Sequence, residues 1–130
     1  MTGTSYVDAS ALVKLVIAEA ESVAMVRWYV ESERVLTSRI GIVEARRAVS
    51  RHQHDAAHLD HVLDRIEVVA LDLPIAESAA AIQPPTIRTL DAIHLATALA
   101  AMPDLDAFVT YDDRLAEAAR ALGLPVLSPA

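Results

Sequence analysis

Ser5-Tyr6-Val7-Asp8-Ala9-Ser10 takes a short apolar run directly into an acid, and then into Ala9–Ala18, a longer segment with the spacing of a helix. The same form returns in Ala107-Phe108-Val109-Thr110-Tyr111-Asp112, which leads into the amphipathic segment Asp113–Leu122. A strand that ends at the rim of a sheet and hands the chain to a helix reads this way. The alternation runs the length of the sequence, as expected of an α/β fold with a parallel sheet. The candidate strands are Ser5–Val7, Arg34–Thr37, Glu67–Leu71, Ala107–Thr110 and Val126–Leu127. The segments between them read as helices: Ala9–Ala18, Ser22–Ser32, Arg39–His52, Asp55–Ile66, Pro74–Ile82, Asp91–Met102 and Asp113–Leu122. Gly123 and Pro125 end the last helix, Pro103 stops the one before it, and Pro84-Pro85 breaks the chain ahead of Asp91.

With 130 residues the chain has room for one domain, expected over residues 1–130, and for no second one. Such a domain buries roughly two thirds of its unfolded surface. Apolar residues make up 54% and aromatics only 4%, so the core is aliphatic and the composition is not that of a disordered chain. A formal charge of −7 argues against a protein that coats nucleic acid, since such binding rests on many cations neutralising phosphates. It leaves open an enzyme that meets phosphates through metal ions, because bound cations reverse the local field. The absence of cysteine removes disulfides, thiolate nucleophiles and Cys-ligated zinc, so a metal would be held by oxygen or histidine. No secretory leader, membrane span or lipidation signal is visible, and a cytoplasmic protein is expected.

Four acids stand out. Asp8 and Asp112 each follow a candidate strand, Asp91 opens a candidate helix, and Glu44 lies inside Ile40-Gly41-Ile42-Val43-Glu44-Ala45, beside the apolar stripe of its helix. In an open parallel sheet the ligand crevice lies beyond the carboxyl ends of the strands, where loops lead into helix N-termini. Taken singly, each aspartate reads first as a helix N-cap, which contributes about 1 kcal/mol. Glu44 has Arg47, three residues on, or an arginine from elsewhere in the chain, as an ordinary ion-pair partner. Taken together, acids massed in one hollow repel one another unless a divalent cation joins them.

Tyr6-Val7-Asp8-Ala9-Ser10-Ala11-Leu12, the mid-helix Glu44, Leu90-Asp91-Ala92-Ile93-His94-Leu95-Ala96 and Val109-Thr110-Tyr111-Asp112 together closely resemble the PIN domain, and within it the VapC-type toxin ribonucleases of bacterial toxin–antitoxin modules. The resemblance covers essentially the whole chain, and it rests on the order and intervals of these motifs in combination. It implies a three-layer α/β/α domain with a central, mostly parallel sheet of about four or five strands. It also implies hydrolysis of RNA phosphodiester bonds by a metal-activated water. Asp8 and Asp91 would be direct ligands of Mg²⁺ or Mn²⁺. Glu44 and Asp112 would complete the acidic pocket directly or through water, and Ser10 and Thr110 would support it with their hydroxyls. Mg²⁺ suits such a site because it keeps several waters and needs only one or two direct carboxylates. Products would carry a 5′ phosphate and a 3′ hydroxyl. A cognate VapB-type antitoxin and a toxin homodimer are implied as partners, with no direct DNA binding.

Other features carry competing readings. His54, His58 and His61 fall at i, i+4 and i+7, a zinc-like spacing, but they alternate with Asp55, Asp60 and Asp64 and lack an adjacent catalytic Glu, which reads as a solvated face. His94 sits one turn into the helix of Asp91 and reads as an interior residue, outside the site. Arg39, Arg46, Arg47 and Arg51 recur along the helix of Glu44, either as a solvated face or to hold RNA phosphates or an acidic partner segment. Lys14, the only lysine, reads as a snorkelling surface residue. Ala11–Ile17 and Val23–Val30 are more apolar than one sheet face needs. They suit a groove for the antitoxin, with core packing of Trp28 and Tyr29 as the plain alternative. A receiver-like phosphoacceptor expects an acidic pair after the first strand and a lysine after the last, neither of which is present. A haloacid dehalogenase-type phosphatase needs an aspartate where Ser10 stands. A PIN-like scaffold without activity would have no need of all four acids, and a PIN nuclease outside a toxin–antitoxin module remains the nearest alternative.

Overall fold

Five parallel strands in the order β3-β2-β1-β4-β5 form the centre of the molecule, in a computed structural model that describes residues 3–52 and 56–130. The strands are β1 (Thr4–Val7), β2 (Arg34–Ser38), β3 (Glu67–Val69), β4 (Leu105–Val109) and β5 (Val126–Leu127). Among the described residues the helices are α1 (Ala9–Lys14), α2 (Ser22–Glu31), α3 (Arg39–Arg51), α4 (Ala56–Leu63), α5 (Leu73–Ala80), α6 (Thr89–Ala100) and α7 (Asp113–Ala121). None of them is long and apolar enough to cross a membrane. The interiors of β1 and β4 are buried on both faces and read as short continuous apolar runs, as parallel sheets require.

Alternate strand residues feed two separate cores, which makes three layers. Val7, Val35, Ala107 and Val109 pack with Leu12, Met25, Tyr29 and Val62 from α1, α2 and α4. Tyr6, Leu36 and Phe108 pack on the opposite face with Leu95 and Ala98 of α6 and Leu115 and Ala119 of α7. Helix α3 contacts both layers, packing on α1 and α4 and also on α6. The chain leaves β1 toward β2 and β3, then crosses back so that β4 pairs with the other edge of β1. The point where strand order reverses therefore lies between β1 and β4, and an open α/β sheet has its crevice there. Registry aligns Val7 with Val109, which sets Asp8 beside Thr110 at that crevice.

Several element limits differ from those read in the sequence. Helix α1 stops at Lys14, not Ala18, because the chain tightens into i→i+3 bonds from Leu15 and Val16 to Leu12 and Val13. Lys14 does not snorkel: its ammonium lies 2.7 Å from Glu21 and 3.4 Å from Glu19 and sits over the Tyr111 ring. Burial pulls its pKa down, but the two carboxylates outweigh that and leave it raised. Helix α6 begins at Thr89, after the extended residue Arg88, so Asp91 lies inside the first turn and is not the cap. Strand β3 ends at Val69, short of Leu71. His54 and Asp55 lie outside the described residues, while His58 and His61 are exposed on α4.

Candidate active site

Asp8 follows β1 and caps α1, and its carboxylate is gripped from three directions. Oδ1 accepts hydrogen bonds from the Ser10 hydroxyl at 2.7 Å and the Ala11 amide at 3.0 Å, and Oδ2 accepts one from the Thr110 hydroxyl at 2.6 Å. The residue is 3% exposed. Burial pushes its carboxyl pKa up, and the bonds from Thr110 and Ser10, the nearby His94 and the Ala11 amide oppose this without cancelling it. Cap and pocket residue are therefore compatible roles, because the cap engages only Oδ1.

The two hydroxyls also tie the ends of β1 and β4 together. Ser10 Oγ accepts from the Tyr111 amide at 2.9 Å, and Thr110 Oγ1 accepts from the Asp112 amide at 3.1 Å. Each hydroxyl spends its proton on Asp8 and a lone pair on a backbone amide just beyond β4. Asp112 caps α7 by accepting from the Leu115 amide at 3.0 Å. Asp91 is half-buried, and burial raises its carboxyl pKa. Asp112 and Glu44 push in the same direction by charge repulsion, against His94 and Arg88.

Glu44 reaches this group from α3, and its partner is not Arg47. Its Oε1 lies 2.6 Å from His94 Nε2, and His94 Nδ1 lies 2.6 Å from the Tyr6 hydroxyl. His94 is thus an interior residue, as its sequence context suggested, yet it touches the candidate site that the sequence reading kept it out of. The available signal was its position three residues after Asp91, which turns it toward the same side of the helix.

Asp91 lies in electrostatic reach of Asp112, Glu44 and His94, and Asp8 in reach of His94, which is the group these acids share. Among the described residues no group of three or more His, Asp or Glu side chains is placed to hold a metal ion. An oxygen donor set of this kind fits Mg²⁺ or Mn²⁺, which take one or two direct carboxylates and fill the remaining positions with water. Beside Glu44, a hollow of about 310 Å³ is lined by Ile40, Val43, Arg47, Arg51 and Leu90. Arg46 spends its charge on Asp60 at 2.7 Å, whereas Arg47 and Arg51 have no ion pair among the described residues. On the side of Asp91 a second hollow, of about 260 Å³, is lined by Arg88 and Arg114.

Comparison with known proteins agrees with this architecture. The family model described as PIN domain matches residues 5–121. Ribonuclease VapC35 and Ribonuclease VapC47 of Mycobacterium tuberculosis are 43% and 38% identical, with 95% of this chain and 96% of each relative covered. A chain of a solved toxin–antitoxin complex from Klebsiella pneumoniae superposes with a TM-score of 0.74 at 20% identity, covering 97% of this chain and 98% of that one. Receiver-like and phosphatase readings are thereby set aside, and the chain belongs to the PIN domain family, in its VapC-type branch.

Proposed function

We propose that the protein is the toxin of a toxin–antitoxin pair: a cytoplasmic endoribonuclease that hydrolyses RNA phosphodiester bonds with Mg²⁺ or Mn²⁺ and is inhibited by a VapB-type antitoxin. The observation that carries this reading is the placement of Asp8 at the carboxyl end of β1, held by Ser10, Thr110 and the Ala11 amide, with Asp91 in electrostatic reach of Asp112 and Glu44. Burial raises the carboxyl pKa of both, and Asp112 and Glu44 add charge repulsion at Asp91, so keeping these acids ionised together is costly unless a cation joins them. Such a site favours a bound cation. When bound, Mg²⁺ or Mn²⁺ supplies Lewis-acid activation of water and charge neutralisation at the scissile phosphate.

In this reading Asp8 and Asp91 are direct ligands, while Glu44 and Asp112 hold the ion directly or through its waters. Ser10 and Thr110 keep Asp8 in place by donating to both of its oxygens. Arg47 and Arg51 face the RNA backbone beside Glu44, where guanidinium groups outside any ion pair among the described residues suit bidentate phosphate contact. The relatives named Ribonuclease VapC support the activity, and the toxin–antitoxin complex among the fold neighbours supports the antitoxin. Val23, Val26 and Val30 stand 74%, 42% and 69% exposed along α2 and offer an apolar face to that partner or to a second toxin in a homodimer. Trp28 and Tyr29 are spoken for, since both pack on the core and the Tyr29 hydroxyl donates to Val62 O at 2.9 Å.

Purified chain freed of antitoxin, incubated with a mixed pool of structured RNAs, should cleave in MnCl₂ and leave 5′ phosphates and 3′ hydroxyls, and should be silent in EDTA. Asp91→Asn should lose cleavage while remaining folded. Cleavage in EDTA, or wild-type rates in folded Asp91→Asn, would contradict the proposal.

A further inference from the structure

Tyr6 on β1, His94 on α6 and Glu44 on α3 are joined in a line by two short hydrogen bonds, each of 2.6 Å, with the imidazole in the middle. The line is held rigidly from the inside. His94 is 2% exposed and Tyr6 is fully buried, the two rings meet edge to face at 5.8 Å, and Tyr6 stacks on Phe108 at 5.3 Å. From the other side α3 comes in as near as a residue without a side chain permits: a Cβ on Gly41 would lie 3.3 Å from His94 Cε1 and 2.5 Å from Thr37 Oγ1. Glu44 at the outer end is still 32% exposed, so the line runs from the core to the crevice.

Nε2 faces Glu44 Oε1 and Nδ1 faces the Tyr6 hydroxyl, so a proton on Nε2 is donated to the carboxylate whichever way the phenol bond runs. One carboxylate oxygen is then committed, and Oε2 remains for a ligand. We infer that Tyr6 and His94 act as a strut that holds Glu44 with Oε2 presented to the cation of the acidic crevice, His94 orienting the carboxylate and Tyr6 holding the ring of His94 in place. His94 is in this sense a positioning residue, acting on any ion only through Glu44, of the kind whose loss costs metal affinity about 10- to 100-fold. The inference rests on the metal-dependent reading above.

Its test is direct titration of the full-length, antitoxin-free chain with MnCl₂ by calorimetry, with circular dichroism melts of each variant alongside. His94→Ala should weaken Mn²⁺ binding by about tenfold or more and Tyr6→Phe by about threefold or more. His94→Gln, whose amide can still donate to Glu44, should recover most of the loss seen in His94→Ala. Variants that are folded yet bind Mn²⁺ as tightly as the wild type would overturn the strut, even if they melt earlier. If His94→Ala does not fold, the comparison of Tyr6→Phe with wild type decides the matter. A wild-type chain that binds no Mn²⁺ would overturn the metal-dependent reading itself, which the unchanged-variant result would leave standing.

Discussion

Replacing Asp8 by Asn should make the metal-free protein more stable and at the same time remove its response to Mn²⁺. Asn caps a helix as well as Asp does, so the bonds to Oδ1 from Ser10 and the Ala11 amide survive the change. The bond from Thr110 to Oδ2, at 2.6 Å, must reverse or break, and a hydrogen bond to a charged group is worth about 1.5–3 kcal/mol. Against this stands relief from holding an ionised carboxylate that is only 3% exposed, a penalty of several kcal/mol per buried ion. Relief wins by about 1–2 kcal/mol, since burial outweighs all the bonds that support the charged form of Asp8. At roughly 4 °C per kcal/mol for a domain of this size, the Asp8→Asn variant in EDTA at pH 7 should melt about 4–8 °C above wild type. Saturating Mn²⁺ at about 100 times its Kd adds about 2.7 kcal/mol to the wild type only, so the order should reverse. Differential scanning fluorimetry in EDTA and in MnCl₂ reads both effects. An Asp8→Asn protein that melts below wild type in EDTA, or that gains as much from Mn²⁺, would refute this reasoning.

The same charges give a pH dependence. Asp8 and Asp91 have folded pKa values raised above the unfolded carboxyl value, so between the two values the folded state binds more protons and stability falls as pH rises. Metal-free protein should therefore lose stability as pH climbs from the unfolded carboxyl range through the raised folded values, and the Asp8→Asn, Asp91→Asn double variant should flatten that slope in urea melts. Gly41→Ala sets a Cβ 2.5 Å from Thr37 Oγ1, which is itself fixed by donating to Val7 O at 2.7 Å, so overpacking should cost about 1–3 kcal/mol, measurable as a lower urea midpoint. Arg47→Glu with Arg51→Glu should weaken RNA binding by the metal-free protein and lower the salt dependence of that binding by about one to two phosphate contacts, with melting unchanged. Filter binding at several salt concentrations checks this, and an unaltered salt slope would remove these arginines from the RNA path.

Much of the crevice was legible because its residues sit at punctuation. Asp8 and Asp112 mark the places where apolar runs stop and helical spacing begins, and such junctions in a parallel sheet all point to one end. Asp91 was harder, since helix boundaries inferred from pattern drift by a residue or two. Its true position, inside the first turn of α6, removes the capping explanation that the sequence allowed. Glu44 was recognisable as an acid beside an apolar stripe, but Arg47 was the nearest partner in sequence, and local spacing cannot point to His94, which is fifty residues away.

Alternation of short apolar runs with amphipathic segments, governed by local periodicity and turn chemistry, was enough to specify a parallel α/β layer structure and the acids at its strand ends. Strand order was not written in it, because any of several pairings satisfies the same hydrophobic pattern. Only the folded chain sets β1 between β2 and β4, which brings Thr110 onto Asp8 and lays α3 against α6. The Tyr6–His94–Glu44 line exists for the same reason: its bonds span residues remote in sequence, and packing across the sheet decides which of them meet.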